Sequence, residues 1–137
     1  SLRDGTFAAM ALGDEVQGRL LAVVFTDGEE TVSWLPEKDV LDTAARTGVV
    51  VYGVRVGEGG PGVLARVTAA TGGRLLSAPS PDRLRPAFLD ILGQFRNRYL
   101  LRYTPRGVHR KGFHRIEVRV KGRAAKVLAR TGYLVSP

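Results

Sequence analysis

The apolar residues of this chain follow one pattern over residues 1–97 and another over residues 98–137. In the first part, an unbroken apolar run at residues 20–25 is typical of a strand buried on both faces of a parallel sheet, and strands rich in apolar residues are also predicted at residues 49–56 and 74–78. Between and around these runs, apolar residues recur at helical spacing, which predicts helices near residues 6–11, 36–46, 63–71 and 81–95. This alternation predicts an α/β fold, in which right-handed crossovers place helices on both faces of a parallel sheet.

The pattern changes after residue 97 to a period of two. Apolar and polar residues alternate over residues 98–104 and 114–121, and a further short run covers residues 126–130. Period-two runs separated by glycine-containing turns are typical of antiparallel strands with one solvated face. We therefore predict an α/β unit over residues 1–97 and an antiparallel β extension of the same domain over residues 98–137.

The chain has 137 residues, enough for one domain with a real core, and no apolar run approaches the roughly 18–20 residues of a membrane span. It has no cysteine, so disulfides and thiolate metal sites are excluded. Residues 1–95 contain 9 basic and 12 acidic residues, a net charge of −3, whereas residues 96–137 contain 12 basic and one acidic residue, a net charge of +11. This asymmetry raises an alternative function, binding of a polyanion or nucleic acid through Arg115, Arg119 and Lys121. Because these side chains are interleaved with Glu117, a solvated face is the simpler interpretation, and a nucleic-acid partner is not expected.

Asp27 follows the first predicted strand, within Thr26-Asp27-Gly28. Ligands of open α/β sheets gather beyond the carboxyl ends of the strands, and hard cations need oxygen ligands such as this carboxylate. Asp-Gly is also an ordinary turn dipeptide, so both interpretations stay open at this point. Asp4 or Thr6 is predicted to cap the first helix, whose beginning is also a place where ions bind.

Two further motifs are weaker. Residues 57–62 satisfy G-x-G-x-x-G between a strand and a helix, but Pro61 removes a backbone donor and no acidic residue follows at the distance that a dinucleotide site needs. We therefore predict a plain turn. His109 and His114 have no acid or cysteine beside them and make a poor metal pair. No nucleophile elbow, P-loop or paired carboxylates occur, so an enzyme is not predicted.

Gly5-Thr6 at a helix start and the run Leu21 to Gly28 at a strand end together resemble two of the three metal-site loops of the von Willebrand factor type A domain. Further short motifs follow in the order of the bacterial "VWFA-related" branch of that family, at residues 51–54, 64–74, 99–105, 113–120 and 127–133. The similarity covers nearly the whole chain.

The resemblance implies a Rossmann-like, three-layer α/β/α fold and a metal-ion-dependent adhesion site for Mg²⁺. Thr6 matches the threonine ligand of that site and Asp27 the aspartate ligand, while the Asp-x-Ser-x-Ser loop of the family has no counterpart in these residues. The chain therefore resembles about the C-terminal two-thirds of such a domain, and we expect Mg²⁺ binding to be weak or absent. The resemblance further implies a non-enzymatic protein-interaction module, a protein partner that offers an acidic side chain, and export from a bacterium to the periplasm or the extracellular space.

The strand at residues 20–25 has one obvious parallel partner, at residues 49–56. Its apolar character on both faces suits an interior strand, so its other edge would be left bare. We expect the chain to self-associate along this edge.

Overall fold

The computed structural model describes residues 1–27, 32–57, 60, 62–107, 111–122 and 124–135. Its helices and strands, in chain order, are α1 (Leu2–Asp14), β1 (Leu21–Thr26), α2 (Glu37–Arg46), β2 (Val50–Val56), α3 (Gly62–Thr71), β3 (Leu75–Ala78), α4 (Leu84–Arg96), β4 (Gly112–Arg115) and β5 (Gly132–Val135). A short 3₁₀ turn, Pro81–Arg83, leads into α4. Each of the first three strands is followed by a helix.

The first three strands form a parallel sheet in the order β1-β2-β3. In its register Leu21 lies beside Val50 and Thr26 beside Arg55, and Gly53 begins the pairing of β2 with Leu75 of β3. All three strands lie within a residue or two of the positions predicted from their apolar runs. The predicted α/β fold is confirmed.

Helices cover both faces of this sheet. On one face, α1, α2 and α3 share a core with alternate residues of the strands, formed by Met10, Val40, Ala44, Val49, Val51, Leu64 and Val67. On the other face, α4 contributes Ile91 to a smaller cluster with Tyr52, Val54 and Ala78. The alternation of the strand residues between the two clusters follows from the pleat, because successive side chains point to opposite faces.

Helix α1 begins earlier than its sequence pattern indicated. It starts at Leu2, and Ser1 is its N-cap, whose hydroxyl accepts a hydrogen bond from the backbone N–H of Asp4. The prediction that Asp4 or Thr6 caps this helix was wrong, since both lie inside it. The serine supplies the oxygen that the first turn needs, so the helix extends one full turn further toward the N-terminus.

The C-terminal residues form the expected antiparallel pair, but with different strands. Strand β4 pairs with β5, Phe113 lying opposite Leu134. The predictions of strands over residues 98–104 and 126–130 were wrong, and only the start of the 114–121 run is a strand. Alternation predicts a strand only where one face becomes buried, and here the side chains of Tyr99 and Leu101 are 92% and 72% exposed.

Two arginines attach the C-terminal residues to the α/β unit. The guanidinium of Arg130 donates to the carbonyl oxygens of Ala44 and Ala45 at the end of α2, at 3.5 and 3.1 Å. Cations are favoured there because the last carbonyls of a helix lack partners within it. Arg98 donates to the carbonyl oxygen of Gly72 at 2.7 Å and approaches the hydroxyl of Tyr52 at 3.4 Å. Burial lowers the pKa of Arg130 from its ordinary value.

Candidate functional site

An open cleft of about 440 Å³ lies at the carboxyl edge of the parallel sheet. The ends of β1 and β2 and the beginning of α1 form it, with the lining residues Ser1, Leu2, Phe25, Thr26, Asp27 and Val56. Asp27 is exposed and directly follows β1. This is the edge at which parallel sheets bind ligands, because the chain leaves each strand there and opens a crevice between neighbouring connections.

Asp4 anchors the beginning of α1 to the segment before α2. Its carboxylate accepts hydrogen bonds from the Ser1 hydroxyl and from the backbone N–H groups of Trp34 and Leu35, the latter two at 3.1 and 3.0 Å. The Ser1 hydroxyl also lies 3.1 Å from that of Ser33. These long-range bonds of Asp4 were missed in the sequence, which gave it only a local capping role.

The hydrogen bond from Ser1, followed by those from Leu35 and Trp34, holds the pKa of Asp4 below its ordinary value. A carboxyl whose pKa is lower in the folded state stabilises the fold above its unfolded pKa of about 3.9, and this contribution is lost as the pH falls through the folded value. We expect Asp4→Asn to lower the melting temperature at pH 7, with the difference from the parent chain shrinking as the pH falls below about 4. Thermal melts from pH 7 down to pH 3 measure this, and a melting difference that stays constant over that range would contradict the role of the carboxylate.

Thr6 does not line the cleft. Its side chain is 3% exposed on the buried side of α1, and its hydroxyl donates to the carbonyl oxygen of Leu2 at 2.7 Å. The structure therefore brings Asp27 to the carboxyl edge together with Ser1 and not with Thr6. The assignment of Thr6 and Asp27 as metal ligands stays a prediction.

The described residues do not fit a complete Mg²⁺ shell. Mg²⁺ takes six oxygen ligands in near-octahedral geometry, and the described side chains that line the cleft offer the Asp27 carboxylate and the hydroxyls of Ser1 and Thr26. Over the ranges that the structure describes, no group of three or more His, Cys, Asp or Glu side chains comes together. A cation at this edge would need oxygen atoms beyond those of the described side chains.

The basic residues predicted for the alternative function are exposed. Arg115 lies at the end of β4, and Arg119 and Lys121 follow it outside any strand. Arg119 donates to Glu117 at 2.7 Å. His114 stacks on Tyr133 at 5.0 Å between ring centroids, whereas His109 lies outside the described residues. Three residues of the glycine motif, 58, 59 and 61, lie outside them as well.

A second depression, of about 400 Å³, runs along the outer edge of β1. One wall belongs to α1, through Ala9, Leu12 and Gly13, and Val16 lies just beyond the helix. The other wall is β1 itself, from Leu21 to Val24. No strand within the described part of the chain pairs with this edge.

Comparisons with known proteins give a fold neighbour and no family. No protein-family model matches the chain, and no curated protein matches it. A solved structure, the crystal structure of an uncharacterized membrane spanning protein from Vibrio fischeri, is similar over 56% of this chain and 47% of that one, with a TM-score of 0.50 and 18% sequence identity. The chain thus spans about half the length of that structure, and at this identity the likeness concerns the fold alone.

Among the described residues, no helix of this chain combines the length and the apolar character needed to cross a bilayer.

Proposed function

We propose that this chain is a non-enzymatic protein-interaction module of the adhesion type, similar to a von Willebrand factor type A domain, whose partner binds at the carboxyl edge of the parallel sheet. The observation that carries the proposal is the position of Asp27, an exposed carboxylate in an open cleft at the end of β1. The order of short motifs along the sequence supports the same family. The module acts on a bacterial surface or in the periplasm.

A Mg²⁺ ion at this edge would allow an acidic side chain of the partner to bind beside Asp27. Two carboxylates repel each other across a few ångströms of water, and a cation between them would turn this repulsion into attraction. The Asp27 carboxylate would hold the ion together with oxygen atoms of the partner. We expect this chain alone to hold the cation weakly, because the described residues that line the cleft offer few oxygen atoms.

Magnesium titration of the chain tests this site. We expect a dissociation constant of about 1 mM or weaker, and Asp27→Ala is expected to abolish the binding that remains. A short peptide with one glutamate is expected to tighten Mg²⁺ binding to the parent chain, while its glutamine counterpart leaves it unchanged, since linkage is reciprocal.

Asp82→Ala is the matched control, because this side chain is 73% exposed on the turn before α4 and far along the chain from β1. Isothermal titration calorimetry measures all three proteins. Tight Mg²⁺ binding by the parent chain, or weak binding that Asp27→Ala does not change, would contradict the proposed site.

A second copy of the chain is a further partner. Self-association runs along the outer edge of β1, over residues 20–25, where the sheet ends in apolar residues. An open edge presents backbone N–H and C=O groups to solvent and is a template for another strand.

A polyanion is the alternative ligand, and the exposure of Arg115, Arg119 and Lys121 favours it. If the +11 segment binds DNA or RNA, the affinity falls steeply with salt because each neutralised phosphate releases counterions. Replacing the three residues with glutamine is then expected to make the negative slope of log K against log [salt] shallower by about 2 to 3. Fluorescence anisotropy between about 50 and 200 mM salt measures this slope, and no binding at the lower salt removes the alternative.

A further inference from the structure

The outer edge of β1 presents its hydrogen-bonding groups in a fixed order. The backbone N–H of Val50 donates to the carbonyl oxygen of Leu20 at 2.9 Å, so Leu20 faces β2. Since backbone groups alternate in direction along a strand, Ala22 and Val24 also face β2. The N–H and C=O groups of Leu21, Val23 and Phe25 therefore point away from β2, toward the groove beside α1.

The side chains along this edge are apolar on both faces. Leu20, Ala22 and Val24 join the core beneath α1, whereas Leu21 and Val23 join the cluster on the α4 face. At the rim, Leu12 is 67% exposed, Val16 56% and Phe25 48%. A strand placed against β1 would therefore bury apolar surface on both faces while pairing with the outward backbone groups.

The charges at the two ends of β1 are opposite. Arg19 precedes the strand and Asp27 follows it, and both are exposed. In an antiparallel pair of two copies with Val23 opposite Val23, Leu21 lies opposite Phe25, and Arg19 lies opposite Asp27 at each end. The same register makes Leu21, Val23 and Phe25 of both copies hydrogen-bonded pairs, so that every outward backbone group of the strand finds a partner.

We propose that two copies of this chain pair antiparallel through β1, about a twofold axis at Val23, into one continuous sheet. This inference rests on the proposed self-association and names its geometry. The second copy is the occupant that the edge fits, because a twofold contact is self-complementary and Arg19 and Asp27 supply that complementarity at both ends.

Neighbouring registers lose these matches. A shift by one residue places the outward N–H and C=O groups of one copy opposite residues of the other copy whose N–H and C=O groups face β2. Hydrogen bonds between the two strands then cannot form. A shift by two residues places Arg19 opposite Phe25, or Asp27 opposite Leu21, and leaves outward groups at one end unpaired. The register centred on Val23 is the one that combines full backbone pairing with paired charges.

Cysteine cross-linking tests the register, and the absence of natural cysteine makes each introduced thiol unique. In the proposed dimer the two Cα atoms at position 23 are about 5.5 Å apart, within the range that a disulfide spans. Val23→Cys is therefore expected to form a disulfide-linked dimer on mild oxidation. Ala22→Cys alone is the matched control, because it meets its own copy only diagonally, about 7–8 Å away. A mixture of Ala22→Cys and Val24→Cys is expected to cross-link, since those positions lie opposite each other.

Exchange of the end charges supplies an independent measurement. Arg19→Asp is expected to weaken the dimer about tenfold, since it places two carboxylates opposite each other at both ends. Adding Asp27→Arg to the same chain is expected to restore the parent affinity. This rescue separates the cross-copy pair from the contacts that Arg19 makes in its own copy with the Arg98 carbonyl and the Phe95 ring.

Light scattering of the parent chain gives its oligomeric state, and the cross-linking rates of the two cysteine variants then test the register. A dimer in which the Val23→Cys variant cross-links about tenfold faster than the Ala22→Cys variant, or faster still, supports the proposal. A dimer in which both single variants cross-link equally, or in which charge exchange brings no rescue, overturns the register and leaves self-association standing. A monomer at high concentration, or a monomer that binds a synthetic apolar strand along this edge, overturns both, while the Asp27 cleft is tested separately by its Mg²⁺ titration.

Discussion

Gly73→Ala is expected to destabilise the fold by about 3 kcal/mol, a large share of the stability of a domain of this size. Gly73 is buried between the end of α3 and the start of β3. A Cβ atom at this position would overlap the backbone carbonyl oxygen of Val51 and lie 2.7 Å from its carbonyl carbon. Because the obstacle is the backbone of the central strand, no rotation of a side chain relieves it. The connection into β3 must move, and with it the pairing of β3 with β2.

Gly93→Ala is the matched control for this change. Gly93 lies within α4, is exposed, and has open space where its Cβ would stand. An alanine there is expected to stabilise the chain by about 0.5–1 kcal/mol, since glycine is the poorer helix former. Urea unfolding at one fixed protein concentration measures both, because self-association would shift apparent stability. Equal stability of the parent and the Gly73→Ala chain would show that the backbone approach at Val51 is absent.

The parallel sheet was predictable because strands buried on both faces need apolar residues at nearly every position, and this composition is visible in the sequence. Residues 20–25 are all apolar and residues 49–56 contain one charged residue, Arg55, a composition typical of strands covered on both faces. The same reasoning gave β1 a single partner, and the structure pairs it with β2 alone among the described strands. Helix α2 followed from its acidic first turn, Glu37 and Asp39, and from its basic last turn, Arg46.

The C-terminal strands were harder to predict because alternation gives the period of a strand and not its partner. Residues 98–104 alternate as strands do, yet without a surface to cover them their apolar side chains stay exposed. Strand β5, at Gly132–Val135, lacks polar alternation and was missed. Its position depends on contacts distant in sequence, the packing of β5 on α2 and the hydrogen bonds of Arg130 with the end of that helix.

The candidate site was predictable in one residue and not in its surroundings. Asp27 could be placed from sequence because the end of a buried parallel strand fixes the edge at which it lies. Ser1, which lines the same cleft, was missed since capping signals compete over a few residues, and Ser1, Asp4 and Thr6 all offer an oxygen. The hydrogen bonds of Asp4 with the backbone N–H groups of residues 34 and 35 join segments about thirty residues apart, and no local sequence pattern predicts them.

Helix α4 covers the second face of the sheet with one fully buried apolar side chain and several partly buried ones. Its sequence has apolar residues at helical spacing, at Leu84, Phe88, Ile91, Leu92 and Phe95. Of these, Ile91 is fully buried, whereas Phe88 is 38% exposed. Ile91 is set among Tyr52, Val54 and Ala78, and Leu84 and Ala87 of the same helix pack against this cluster while staying partly exposed. Ile91 is therefore the apolar side chain of α4 that this contact encloses completely.

Ile91→Ala is accordingly expected to cost about 3 kcal/mol, from the lost burial together with the cavity that remains beneath the helix. Leu89→Ala is its control on the same helix, since Leu89 is 56% exposed and its truncation is expected to change the stability by no more than about 0.5 kcal/mol. Urea unfolding of the two variants at the same concentration compares them directly. Similar losses for both would mean that α4 is held by its ends and not by Ile91. A large loss of stability for Ile91→Ala alone would identify Ile91 as the anchor of α4 on the central strand β2, with which it packs at Tyr52 and Val54.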